Sequence, residues 1–135
     1  MQTRKMNCFR KICIPCFLLA LTISAAAAPH HGNVGYNLAR TITLTGKVTS
    51  FDWLNPHCLL HLDVKDASGN VQRWTIEMAS PTALKRRGWS SQSFKAGDEV
   101  AIDTHPAKNG IPLGISSSNS YVLKTTVNGQ ELPSR

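Results

Sequence analysis

The chain has 135 residues, with 15 Lys and Arg against 8 Asp and Glu, a formal net charge of +7. Four of the basic residues (Arg4, Lys5, Arg10 and Lys11) crowd the first dozen positions, so a charge read over the whole chain is no footprint for nucleic acid. The length suits one domain with a modest core, and the sequence has neither an internal repeat nor a low-complexity segment.

Residues 1–27 read as a cleavable signal peptide. The basic block is followed by an apolar run from Ile12 to Ile23 and a small-residue zone from Ser24 to Ala28. The apolar run is short for a membrane-spanning helix, which needs about 20 residues. Pro29 disfavours a cut immediately before it, so cleavage is expected after Ala27. Cys16 follows Ile14-Pro15 rather than the small residue that a lipidation signal requires. Export to the periplasm or the medium is therefore expected, with no membrane span after cleavage. The remaining part carries 11 basic and 8 acidic residues, a net charge of +3. Cys8, Cys13 and Cys16 leave with the signal, which discounts the redox look of Cys13-Ile14-Pro15-Cys16. Cys58 is then alone, excludes an internal disulfide, and is expected to be a small buried apolar residue.

Residues 28–40 read as a flexible polar start holding His30 and His31. Thr41 to Ser50 alternates as a strand, with Ile42, Leu44, Gly46 and Val48 on one face. The alternation slips at Phe51-Asp52-Trp53, a sign of a bulge or strand end. Trp53-Leu54-Asn55-Pro56-His57 follows. Asn-Pro marks a turn, because proline fixes φ and pushes its predecessor out of the helical region. Cys58 to Lys65 is a second strand with Cys58, Leu60, Leu62 and Val64 inward and His57, Leu59, His61 and Asp63 outward. Asp66-Ala67-Ser68-Gly69-Asn70 is a hairpin turn. Val71 to Met78 is a third strand, with Trp74, Ile76 and Met78 inward and Arg73, Thr75 and Glu77 outward.

Ser80 is a helix N-cap and Pro81 suits the first helical position. Ala83, Leu84 and Lys85-Arg86-Arg87 continue the helix, and Gly88 is its expected stop. The three cations sit where the macrodipole favours them, which reads as helix-end stabilisation on a solvated face, with an anionic partner as the alternative. Lys95 to Asp98 turns the chain into a fourth strand, Glu99 to Thr104. His105 opens a loop rich in proline and glycine, and Ile115 to Val127 holds a fifth, irregular strand. Asn128-Gly129 is a hairpin-type turn, and residues 131–135 are a polar tail.

Three strands, one helix and two strands is the order of an OB-fold, an all-β, five-stranded Greek-key barrel with one short helix, here over residues 41–130. Such barrels bind ligands on the outer face of strands 2 and 3, between the 1–2 and 4–5 loops. Trp53 and Asn55 fall in the 1–2 loop, His57 and His61 on strand 2 facing out, and His105 at the 4–5 loop. These five residues are the candidate ligand surface.

Several segments together resemble a family of small exported bacterial proteins known only as a domain of unknown function. They are His30-His31, Thr43 to Val48, Trp53 to His57, Asp63 to Asp66, Ser80-Pro81, Arg86-Arg87-Gly88-Trp89 and Lys95 to Val100. The resemblance covers most of the chain after the signal and departs from it across Ser116 to Tyr121. It implies an exported location and a small barrel, and brings no established activity.

Three chemistries compete. The first is a non-catalytic binding or interaction module for a periplasmic protein or a small ligand, with Trp53 and Trp89 as apolar contacts. The second is a copper or zinc site drawn from His30, His31, His57, His61 and His105, since imidazole suits both ions. Cleavage after Ala27 puts His30 third in the chain, but Pro29 has no amide proton to lose, so a planar N-terminal copper motif is disfavoured. The third is a small enzyme. No nucleophile–base–orienter set is visible, His57 has no carboxylate placed beside it by sequence, and no catalytic residue is assigned. Nucleic-acid binding is set aside on charge and export.

Overall fold

The computed structural model describes residues 33–117 and 122–134. Its elements in chain order are β1 (Ile42–Asp52), β2 (Leu59–Lys65), β3 (Val71–Glu77), α1 (Pro81–Lys85), β4 (Glu99–Pro106), β5 (Leu113–Ile115), β6 (Thr125–Val127) and β7 (Gln130–Glu131). β1, β2 and β3 are antiparallel neighbours, β3 meets β5 in parallel, β5 meets β4, and β4 closes back on β1. That circuit is the closed OB-type barrel expected from the element order.

One irregularity in β1 sets which side chains face out. Up to Val48 the inward residues are even-numbered, with Leu44 and Val48 buried. The β1–β2 register then slips by one at Thr49, pairing Phe51 with Leu60 and Asp52 with Leu59. A bulge of this kind reverses the parity of everything that follows it. Phe51 consequently turns inward, and Asp52 arrives on the outer face beside His61 of β2. Gly46 serves the same strand differently. A Cβ built there would lie 2.6 Å from the Asp63 carbonyl oxygen, so β1 approaches β2 closely where it also pairs with β4.

The core is apolar. Leu60, Leu62, Ile76, Leu84 and Ile102 are fully buried, and Cys58 sits among them as a free thiol whose burial pushes its pKa up. Leu84 comes from α1, which is held at its start by Ser80, whose Oγ accepts the Ala83 N–H at 3.3 Å. After Lys85 the chain turns through Gly88 at φ +85°, and the Trp89 N–H returns to the Leu84 carbonyl. Burying a leucine of this kind contributes roughly 1.5–3 kcal/mol. Phe51, Phe94 and Trp89 meet edge to face, and Trp53 packs against Phe51 at a centroid distance of 5.7 Å.

Four expectations change. The fifth strand is split: β5 pairs with the end of β4 and β6 with its beginning, while Ser117 and Val122 bridge each other. The serine run supplies no apolar alternation to continue a strand, and the Ser116 hydroxyl instead donates to the Asp103 carbonyl. β4 runs through Pro106, so His105 lies within a strand rather than opening a loop. Packed structure also begins before Thr41, where Tyr36 is buried and bridges Ala107. It extends beyond residue 130: Glu131 belongs to β7, Leu132 packs on the core, and the Trp89 indole N–H donates to the Pro133 carbonyl at 2.7 Å.

Candidate functional site

The hairpin turn fixes the geometry of the outer face. Asp66 accepts the Ser68 and Asn70 N–H groups on one carboxylate oxygen, and these bonds hold its pKa below the usual carboxylate range. The turn sets Lys65 opposite Val71, and counting back along both strands places Leu59 opposite Glu77 and His61 opposite Thr75. His57 precedes Leu59 by two residues, so it shares the outer face with Glu77. The Cys58 backbone continues the ladder by bonding to Ala79 and Met78, which carries His57 to the end of β3.

Two polar chains result, one on each side of Leu59. In the first, His57 Nδ1 contacts Glu77 Oε1, and the Tyr36 hydroxyl donates to Glu77 Oε2 at 2.8 Å. Burial, with the hydrogen bond and charge of Glu77, holds the Tyr36 hydroxyl well above its ordinary pKa, so it stays a donor. In the second, His61 Nε2 lies 3.1 Å from Asp52 Oδ2 and Nδ1 lies 3.0 Å from Thr75 Oγ1. A carboxylate only accepts, so it fixes a hydrogen on Nε2; in the neutral ring Nδ1 takes the threonine hydrogen.

A cleft of about 390 Å³ opens beside the first chain, lined by Asn33, His57, Glu77, Met78, Ala79, Ser80, Ala83, Arg87, Ile115 and Ser117. Arg87 is partly buried and donates from Nη1 to the Ala83 carbonyl at 2.9 Å, which confirms its helix-end role and also places a cation in the wall.

The candidate residues therefore part company. His57 and His61 do share the exposed face, as their spacing implied. His105 is 8% exposed, with Nδ1 donating to the Arg40 carbonyl at 2.9 Å. That bond ties the N-terminal segment to β4, and His105 does not line the cleft. Trp53 is partly buried in the aromatic row against the core, and Asn55 is exposed ahead of a cis peptide to Pro56. His30 and His31 lie outside the described residues. Among the described residues no group of three or more His, Cys, Asp or Glu is placed to hold a metal ion. Glu77, Asp52, Tyr36 and Arg87 are the site residues that sequence reasoning missed. Strand register counted from the Asp66–Asn70 turn would have found Glu77.

The model of a family of unknown function, DUF6152, matches residues 18–116. The chain belongs to this family. The matched span runs from before the first described residue to the end of β5 and takes in every cleft residue except Ser117. No curated protein matches the sequence. Among the described residues no helix is long and apolar enough to cross a membrane.

Proposed function

We propose that the chain is a small exported binding module, not an enzyme, whose ligand surface is the outer face of β2 and β3 where it meets the 1–2 loop and α1. The observation that carries this reading is the convergence of His57, Glu77, Ser80 and Arg87 on one cleft, with Tyr36 fixing the carboxylate from behind. Concave sites with a few oriented polar groups are the common form of small-ligand sites. The face is also the one that OB-type barrels use. His61 is committed on both nitrogens to Asp52 and Thr75, an arrangement that reads as cross-strand pairing rather than a nucleophile and its base. The basic N-terminal block, the apolar run and Ser24 to Ala28 support export with cleavage after Ala27.

Native mass spectrometry of the protein taken gently from the periplasm tests this reading. The wild type is expected to carry a bound species that is lost in Glu77→Gln and kept in Thr43→Ala, which alters the far side of the barrel. The same bound mass in all three proteins would remove the cleft as the ligand site.

A further inference from the structure

Resting on that reading of the cleft, we propose that its ligand is a small organic carboxylate, with the acid group held by Arg87 and the apolar body laid against Met78, Ala79, Ala83 and Ile115. Three observations lead there. The first is a cation without a counter-ion. All eight Asp and Glu side chains of the chain lie among the described residues, and none comes within ion-pair distance of Arg87. Glu77 lines the same cleft, but its two oxygens are taken, one by His57 Nδ1 and the other by the Tyr36 hydroxyl.

The second observation is an unfilled donor edge on that cation. Arg87 Nη1 donates to the Ala83 carbonyl at 2.9 Å, whereas Nε is buried and has no hydrogen-bond partner among the described residues. Buried donors in folded proteins are nearly always satisfied, so an orphaned one asks for an acceptor. The Nε–H and one Nη2–H point in parallel from one edge of the planar guanidinium, and a carboxylate fills that edge with its two oxygens. With Nη1 committed to α1, the Nε–Nη2 edge is the one left for a ligand. The third observation is the lining. The cleft, about 390 Å³, lies at the small end of ligand sites. Met78, Ala79, Ala83 and Ile115 give it an apolar side, of which Met78 and Ile115 are buried in the body of the barrel. A compact inorganic anion gains nothing from such a side, whereas an organic acid takes its carbon chain out of water there.

The test is titration of the exported, tag-free, ¹⁵N-labelled protein, after exhaustive dialysis, with butyrate, with its neutral isostere butyramide and with inorganic phosphate. Binding is followed at the Arg87 Nε–H and at the backbone amides of Ala79 and Ala83. Butyrate is expected to saturate one site and to move the Nε–H resonance. Butyramide should bind about 10-fold more weakly or worse, because hydrogen bonds to a charged partner are the stronger kind. Arg87→Gln should weaken butyrate by about 10–100-fold, and Arg87→Lys, which keeps the charge and loses the fork, by about 10-fold. Thr43→Ala, on the far side of the barrel, should leave the affinity unchanged. Circular dichroism confirms that each variant is folded. Because Arg87 also holds the Ala83 carbonyl, the Nε–H shift in the wild type gives a reading that depends on no variant. Equal affinity for butyrate and butyramide, or for butyrate in wild type and Arg87→Gln, would overturn the proposal. So would saturation by phosphate without saturation by butyrate, and so would the absence of any saturable shift at the Nε–H. Each of those results beside a bound mass that still tracks Glu77→Gln would remove the carboxylate and leave the binding cleft standing.

Discussion

Tyr36 anchors the segment before β1 to the candidate site, and its contribution can be worked from the structure. The residue is 7% exposed and its hydroxyl donates to Glu77 Oε2 at 2.8 Å. Hydrogen bonds to charged groups contribute about 1.5–3 kcal/mol, and the partial exposure of Glu77 brings the expectation to about 1–2 kcal/mol. Tyr36→Phe keeps the ring and removes only the hydroxyl. With a urea m-value of about 1–1.5 kcal/mol/M for a domain of this size, the unfolding midpoint should fall by roughly 1 M. Glu77→Gln should also destabilise, and the double variant should lose less than the sum of the two, with a coupling of about 1 kcal/mol. Equal midpoints for Tyr36→Phe and wild type, or a coupling within ~0.3 kcal/mol of zero, would show that the hydroxyl does not hold Glu77.

Other outcomes follow from the same geometry. Gly46→Ala drives a Cβ against the Asp63 carbonyl and should destabilise the barrel by about 1–3 kcal/mol in urea unfolding; a neutral variant would contradict the close approach of β1 and β2. Ser80→Ala removes the bond to the Ala83 N–H and should cost about 1 kcal/mol, seen as a melting temperature lower by roughly 4–8 °C. Asp66 is held ionised by Asn70, and Asp98 by Asn128 and the Lys95 N–H, so both have lowered pKa values. Their contribution is present above the ordinary carboxylate pKa and is lost as pH falls through and below it; Asp66→Asn with Asp98→Asn should flatten that acid limb. Tyr36 is shifted the other way. Its contribution is complete below the ordinary tyrosine pKa near 10 and fades as pH rises above it, a loss that Tyr36→Phe should abolish.

Much of the barrel was legible because period-2 alternation and turn residues speak locally. Leu44, Val48, Leu60, Leu62 and Ile76 point inward as their spacing requires. Ser80, Pro81 and Gly88 bound the helical segment for reasons written in single residues. The candidate site was legible only in half. The shared face of His57 and His61 follows from even spacing, but their carboxylates come from strands 9 to 20 residues away and depend on register. Glu77 reaches His57 through the hairpin count from Asp66–Asn70, and Asp52 reaches His61 only because the bulge at Thr49 reverses parity. Tyr36 was missed and His105 misplaced for a common reason. A lone aromatic in a polar stretch and a histidine before proline carry no periodicity, and their burial arises from each segment packing on the other. The serines after Ile115 gave no alternation, so the break between β5 and β6 could not be placed.

The central claim is that the ligand surface is the cleft at His57 and Glu77. Two-dimensional ¹⁵N spectra of the labelled protein, recorded before and after adding the small-molecule fraction of a periplasmic extract, test it directly. The account predicts shifts concentrated at His57, Glu77, Ala79, Ser80 and Arg87, absent in His57→Ala. Shifts confined to the opposite face, around Thr43, Ala101 and Thr126, or identical shifts in His57→Ala, would contradict it.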